Sequence, residues 1–152
     1  MANYFLDTSA LAKHYHAEKG TPEVERILAK PGSTHYLSRL GAVEIQSVFA
    51  LKVRTNVITA ADFQLIQKHI ATDFSAGRFL IVKMLPVHFA DAEQLIRKYS
   101  ATSALRTLDS LQLAVALYLS GQGKLNYFVC ADSTLAKVAE AEGLSVINPA
   151  EM

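Results

Sequence analysis

Tyr4-Phe5-Leu6-Asp7-Thr8-Ser9-Ala10-Leu11 decides the fold. Three apolar residues of strand-forming type end on an acid, and a run at helical spacing begins directly behind it, which is how a β–α unit opens. The rest of the chain repeats the alternation. Short apolar runs rich in aromatic and β-branched residues recur at His35 to Leu37, Phe79 to Met84, Tyr127 to Cys130 and Val146-Ile147. Between them lie stretches at helical spacing: Ser9 to Ala17, Pro22 to Lys30, Leu40 to Arg54, Ala60 to Ser75, Val87 to Tyr99, Thr107 to Ser120 and Ser133 to Glu142. Strands alternating with helices predict an α/β fold with a parallel sheet covered on both faces. The first, fourth and last strands are expected to be fully buried. Thr21 before Pro22, and Thr59 with Asp62, mark helix starts, while Gly77, Gly121 and Gly143 mark stops.

Composition narrows the function. The chain has 152 residues, 51% of them hydrophobic, enough for one ordinary core, and its charged fraction of 19% with a net charge of +1 excludes a disordered or polybasic chain. Any nucleic-acid contact must therefore be local. No run is apolar over bilayer length and Met1-Ala2-Asn3-Tyr4 lacks a basic signal start, so a cytoplasmic protein is expected. Cys130, the single cysteine, lies in the apolar Tyr127-Phe128-Val129-Cys130-Ala131 and is expected to be a buried strand residue.

Four acids stand where apolar or turn residues are the rule. Asp7 and Asp132 each follow a buried strand, at the sheet end where open α/β folds bind ligands. On a helical wheel Glu44 shares a face with Leu40, Val48 and Leu51, and Asp109 shares one with Leu113, Ala116 and Leu117. Bland readings remain open for each. Asp7 and Asp132 can be N-caps, Asp109 fits the first turn of its helix, and Glu44 can pair with Arg39 or Arg106. If the four converge they repel one another without a cation, and hard oxygen ligands suit Mg²⁺ or Mn²⁺. The histidines show no zinc motif: His14 and His16 are two apart, and His35, His69 and His88 are scattered. Lys13, His14 and Arg39 are possible phosphate contacts by sequence position, with no site role assigned.

The order and spacing of Tyr4-Phe5-Leu6-Asp7-Thr8-Ser9-Ala10-Leu11, Leu105-Arg106-Thr107-Leu108-Asp109-Ser110-Leu111-Gln112-Leu113-Ala114 and Val129-Cys130-Ala131-Asp132 resemble PIN-domain ribonucleases, in particular VapC-type toxins. The resemblance runs through nearly the whole chain and implies one PIN domain over 1–152 with a three-layer α/β/α fold. It places the metal-binding and catalytic acids on Asp7, Glu44, Asp109 and Asp132. It further implies Mg²⁺- or Mn²⁺-dependent cleavage of RNA by metal-activated water, a homodimer, and a small cognate antitoxin. Ser9 matches a hydroxyl that lines the family site. Ser110 and Gln112 depart from the Ala and His common after the third acid. A hairpin of the third and fourth helices offers Phe49, Val57, Ile58, Phe63 and Ile66 as candidates for a partner groove, with core as the competing placement. A receiver domain would need an acidic pair at Leu6-Asp7, and an aspartate phosphatase a second acid at Ser9; neither is present. The remaining alternative is a catalytically silent PIN-like module that binds RNA or protein.

Overall fold

The computed structural model describes residues 1–151. Five parallel strands, β1 (Asn3–Leu6), β2 (Thr34–Ser38), β3 (Leu80–Val82), β4 (Tyr127–Val129) and β5 (Val146–Ile147), form one sheet in the order β3-β2-β1-β4-β5. Among the described residues the helices are α1 (Thr8–Tyr15), α2 (Thr21–Leu28), α3 (Arg39–Arg54), α4 (Ala60–Ser75), α5 (Pro86–Tyr99), α6 (Thr107–Gly121) and α7 (Ser133–Ala141), with a short 3-10 turn at Pro149–Glu151. The α/β/α expectation holds.

Period-two alternation in the central strand splits the core into two layers. Tyr4 and Leu6 face a cluster built from α1 to α4, including Leu11, Ile27, Ile45, Phe49 and Ile70. Phe5 faces the other cluster, with Leu113, Ala116, Phe128 and Leu135. Helix α6 is buried along most of its circumference. It fills the second layer as its uninterrupted apolar sequence predicts.

Chain order reverses at β1: β2 and β3 are laid down on one side, β4 and β5 on the other. The carboxyl ends of β1 and β4 therefore flank the topological switch point, where the connections diverge and leave a crevice. Phe5 pairs with Tyr36 of β2, and Leu6 with Val129 of β4. Residues after Leu6, Ser38 and Val129 emerge side by side at the same end of the sheet.

Several local expectations are corrected. β5 is a two-residue edge strand, only partly buried, because pairing covers one side of it. The buried face of α3 is Gly41, Ala42, Ile45 and Phe49, offset from the anticipated Leu40, Val48 and Leu51 stripe; Leu51 is exposed. Phe49 and Ile58 belong to the core, Phe63 and Ile66 pack against it, and of the five groove candidates Val57 is exposed. The turn after α6 takes its left-handed residue at Gly123, φ 71°, one step beyond the α6 C-cap at Gln122. Gly20, not Thr21, is the N-cap of α2. Its φ of 95° suits glycine, and a Cβ there would stand 2.8 Å from the Pro149 carbonyl oxygen. The Thr59–Asp62 capping box forms as expected.

Candidate active site at the carboxyl ends of β1 and β4

Asp7 leaves β1 and turns directly into α1. Its Oδ2 accepts hydrogen bonds from the Ser9 backbone N–H at 3.2 Å and the Ser9 hydroxyl at 2.6 Å. The capping reading is thus correct, and it also fixes the carboxylate at the sheet end. Ser9 Oγ in turn accepts from the Ala131 N–H at 3.0 Å, tying the start of α1 to the segment after β4. Asp132 caps α7 in the same manner, accepting from the Leu135 N–H at 3.0 Å.

Asp109 lies in the first turn of α6, buried on the face shared with Leu113 and Ala116, as expected. Arg106 Nε donates to Asp109 Oδ2 at 3.3 Å, and the same guanidinium stands 4.0 Å from Asp132 Oδ2. Arg106, not Arg39, is the cation among the acids. Its side chain is 77% exposed, so the contact is a solvated one.

Glu44 approaches from α3. The offset of the α3 core face leaves it half-buried at the rim, where it accepts from Thr8 Oγ1 at 2.7 Å and Gln112 Nε2 at 3.2 Å. Gln112 Nε2 also donates to Thr8 Oγ1 at 3.0 Å, and its Oε1 accepts from Ser38 Oγ at 2.6 Å. Ser38 caps α3 by accepting from the Gly41 N–H at 2.9 Å. Gly41 lets this contact form closely, since a Cβ would stand 3.0 Å from Gln112 Nε2 and the amide would have to give by a few tenths of an ångström. Sequence reasoning marked Gln112 as a departure but missed Thr8 and Ser38. The residue after a strand-end acid and the last residue of β2 were their only sequence signals.

Burial is the chief influence on Asp7, pushing its carboxyl up to about 6; the Ser9 hydrogen bonds oppose this, while the charges of Glu44 and Asp109 add to it. Asp109 is also raised, chiefly by burial, with Arg106 pulling the other way and Asp132 adding repulsion. Arg106 is held above the usual guanidinium range by Asp109 first, then by Asp132 and Glu44. The four acids thus lie within reach of one another's charge or of Arg106, but among the described residues no three of them bring ligating oxygens within 4.8 Å of one another. A cavity of about 320 Å³ lined by Glu44, Arg106, Thr107, Leu108 and Asp109 opens beside them. A larger cavity of about 630 Å³ between α5 and α6, with Phe89, Ala92, Ile96 and Leu111 in its lining, contains none of these acids.

Cys130 is fully buried with Sγ 3.8 Å from Asp7 Oδ2, and burial followed by the Asp7 charge raises its thiol far above the usual range, so it is inert packing. Lys13 is buried and pairs with Glu18 at 3.2 Å, away from the acids, and Arg39 is exposed. His14 lies near the far end of α1, where its ring meets Glu25 and Asp73.

The family model for the PIN domain matches residues 4–141. The chain belongs to the PIN domain family. The comparison with curated proteins returns no match. Among solved structures, FitAcB from Neisseria gonorrhoeae superposes with a TM-score of 0.66 at 19% identity, over 98% of this chain and 99% of that one. VapC20 from Mycobacterium tuberculosis, described as a sarcin-ricin loop cleaving toxin, gives 0.68 at 14% identity, over 95% and 97%. A Pyrobaculum aerophilum protein gives 0.65 at 14%, over 97% and 84%. At these identities the superpositions bear on the fold. FitAcB and VapC20 share the fold of this chain over nearly their full length. No helix among the described residues is long and apolar enough to cross a membrane.

Proposed function

We propose that this PIN protein is a metal-dependent endoribonuclease, the toxin of a VapBC-type pair, whose site is Asp7, Glu44, Asp109 and Asp132. The observation that supports the reading is mutual charge influence at the switch point of a PIN fold: Glu44 and Asp109 act on Asp7, Asp132 acts on Asp109, and Arg106 answers to Asp109, Asp132 and Glu44. The donor set fits a divalent cation. The four carboxylates have one solvated guanidinium near them, in contact with Asp109 and Asp132 alone, an excess of negative charge on hard oxygen ligands that suits Mg²⁺ or Mn²⁺. Such an ion would activate water and offset the charge that develops on the scissile phosphate.

The protein's own contribution is preorganisation. Among the described residues the hydrogen bonds to the Asp7 side chain all fall on Oδ2, so Asp7 is a residue that would hold a cation without losing its cap. Ser9 keeps that carboxylate fixed and locks the β4 end beside it through Ala131. Thr8 and Gln112 orient Glu44 by occupying Oε1, with Ser38 setting the Gln112 amide. Arg106, the exposed cation on the rim, is placed to meet the RNA backbone and to exchange its carboxylate partners for phosphate.

By analogy with VapC20 and the Fit proteins, the partners are an RNA substrate, a small cognate antitoxin and a second copy of the chain. The decisive experiment incubates purified protein with total RNA, with and without Mg²⁺ or Mn²⁺, and maps the new ends. Metal-dependent cleavage lost in Asp7→Asn supports the reading; full activity in that variant removes Asp7 from the site. The rival is a silent RNA- or protein-binding module. It draws on Arg106, which already partly neutralises Asp109 and Asp132. RNA retention without new ends, unchanged by metal, would favour it.

A further inference from the structure

On the opposite side of α1 from its first turn, the fold assembles side chains that are far apart in sequence. His14 from α1 and His69 and Asp73 from α4 place one ligating atom each within 4.8 Å of one another, the one such group of three among the described residues. His14 Nε2 lies 3.3 Å from Asp73 Oδ2, and His69 Nε2 lies 3.6 Å from the same oxygen. Tetrahedral ligands held about 2.0–2.1 Å from a zinc ion stand about 3.3 Å apart, so these two edges are close to coordination distance. The His14 side chain is 6% exposed and the His69 side chain 49%, which leaves one side of the cluster open to water.

The tautomers carry the argument further. His14 Nδ1 is 2.5 Å from Glu25 Oε1 of α2, so its proton lies toward Glu25. In the neutral ring Nε2 is then the lone-pair nitrogen, and it faces a carboxylate oxygen. Two acceptors cannot satisfy each other at 3.3 Å. A cation lying between nitrogen and oxygen would satisfy both. A carboxylate on the far nitrogen is the arrangement that orients metal-binding histidines and raises their basicity. The surroundings complete it. The Tyr15 hydroxyl donates to Asp73 Oδ2 at 2.8 Å, while Arg78 approaches the other oxygen, Oδ1, at 3.7 Å.

We propose that His14, His69 and Asp73 bind one zinc-class ion (Zn²⁺, Co²⁺ or Ni²⁺), oriented by Glu25, at a site separate from the carboxylate centre. Two imidazoles and one carboxylate select borderline transition metals over Mg²⁺. His14 lies seven residues beyond Asp7, about 10 Å along the axis of α1. The ion fastens α1, which carries Ser9 and Thr8 at its other end, to α4.

The test is titration of the purified, metal-stripped protein with Zn²⁺ by calorimetry in excess Mg²⁺, and with Co²⁺ by visible absorption. One equivalent with tetrahedral Co²⁺ bands is expected, retained in the Asp7→Asn, Asp109→Asn double variant. Glu25→Gln should weaken binding by about 10–100-fold. His69→Ala should weaken it at least as much, and its exposure leaves folding intact. Binding unchanged in His69→Ala, or lost in the double variant, would place the ion elsewhere. No binding of either metal by the folded protein would overturn the proposal.

Discussion

Replacing Asp7 with Asn should stabilise the metal-free protein at neutral pH while abolishing cleavage. The carboxyl is pushed from 3.8 up to about 6, first by burial and then by Glu44 and Asp109. Ionising it in the folded state therefore costs about 3 kcal/mol, at about 1.36 kcal/mol per pH unit. Because the folded value lies above the unfolded one, the stability of the protonated group is fully present below about pH 4. It is lost as pH rises towards 6, and the cost is constant above that. The amide avoids this cost, and Asn remains a competent N-cap for α1. A net gain of about 2 kcal/mol at pH 7.5 corresponds to about 4–8 °C in Tm for a chain of this length. His35 and His88, held below the usual histidine range by burial, lose stability as pH falls and act in the opposite direction. The quantity to follow is therefore the difference between parent and variant. Urea denaturation with chelator at pH 4.5, 6 and 7.5 should show an advantage of about 1 kcal/mol or less at pH 4.5 that widens to its full size at pH 7.5. A variant less stable than the parent at pH 7.5, or a difference that does not change with pH, would refute the account of Asp7 as a buried, repelled carboxylate.

Mg²⁺ at a hundredfold its dissociation constant should stabilise the protein by about 2.7 kcal/mol. A melting shift that persists when Asp7, Asp109 and Asp132 are all changed to Asn would place Mg²⁺ elsewhere. Gln112→Ala strands the buried Ser38 hydroxyl and loosens Thr8 and Glu44, so chemical denaturation should register a loss of about 1–3 kcal/mol, and cleavage should fall as well. Arg106→Gln removes the cation that competes at Asp109 and Asp132. An exposed pair is worth about 0.2–1 kcal/mol, so calorimetry should find Mg²⁺ bound up to about fivefold more tightly, even as RNA affinity drops.

The sequence carried the fold because the deciding signals are local. Tyr4-Phe5-Leu6 followed by Asp7 and an amphipathic run specifies strand, turn and helix within a dozen residues, and each later unit repeats that pattern. Errors arose where tertiary packing sets the outcome. Val146-Ile147 is as apolar as a central strand, but its position at the sheet edge leaves it half covered. On α3 the wheel gave Glu44 the core stripe, whereas the backbone's approach to the sheet puts Ala42, Ile45 and Phe49 inward. The small residues Gly41 and Ala42 carry little weight in a hydrophobic pattern, yet both are buried on the inner face of α3.

That same offset explains the site. Had Glu44 occupied the middle of the buried stripe, it would have faced Ile45's partners and needed a buried cation; at the flank it reaches Thr8 and Gln112 instead. The acids at strand ends could be found singly because a strand terminus is a local address, and capping and site formation use the same geometry: Asp7 must cap α1 to be held at the crevice. The histidine cluster has no such address. His14 and His69 are 55 residues apart and lie on helices whose contact no local pattern encodes; the one readable trace is His69 and Asp73 at i,i+4 on one face of α4. A spacing of four is common on exposed helices, and it gains chemical meaning only when a third ligand arrives from α1. Residue type and local periodicity therefore point to the proposed acid centre, while the proposed imidazole centre follows from how α1 packs against α4.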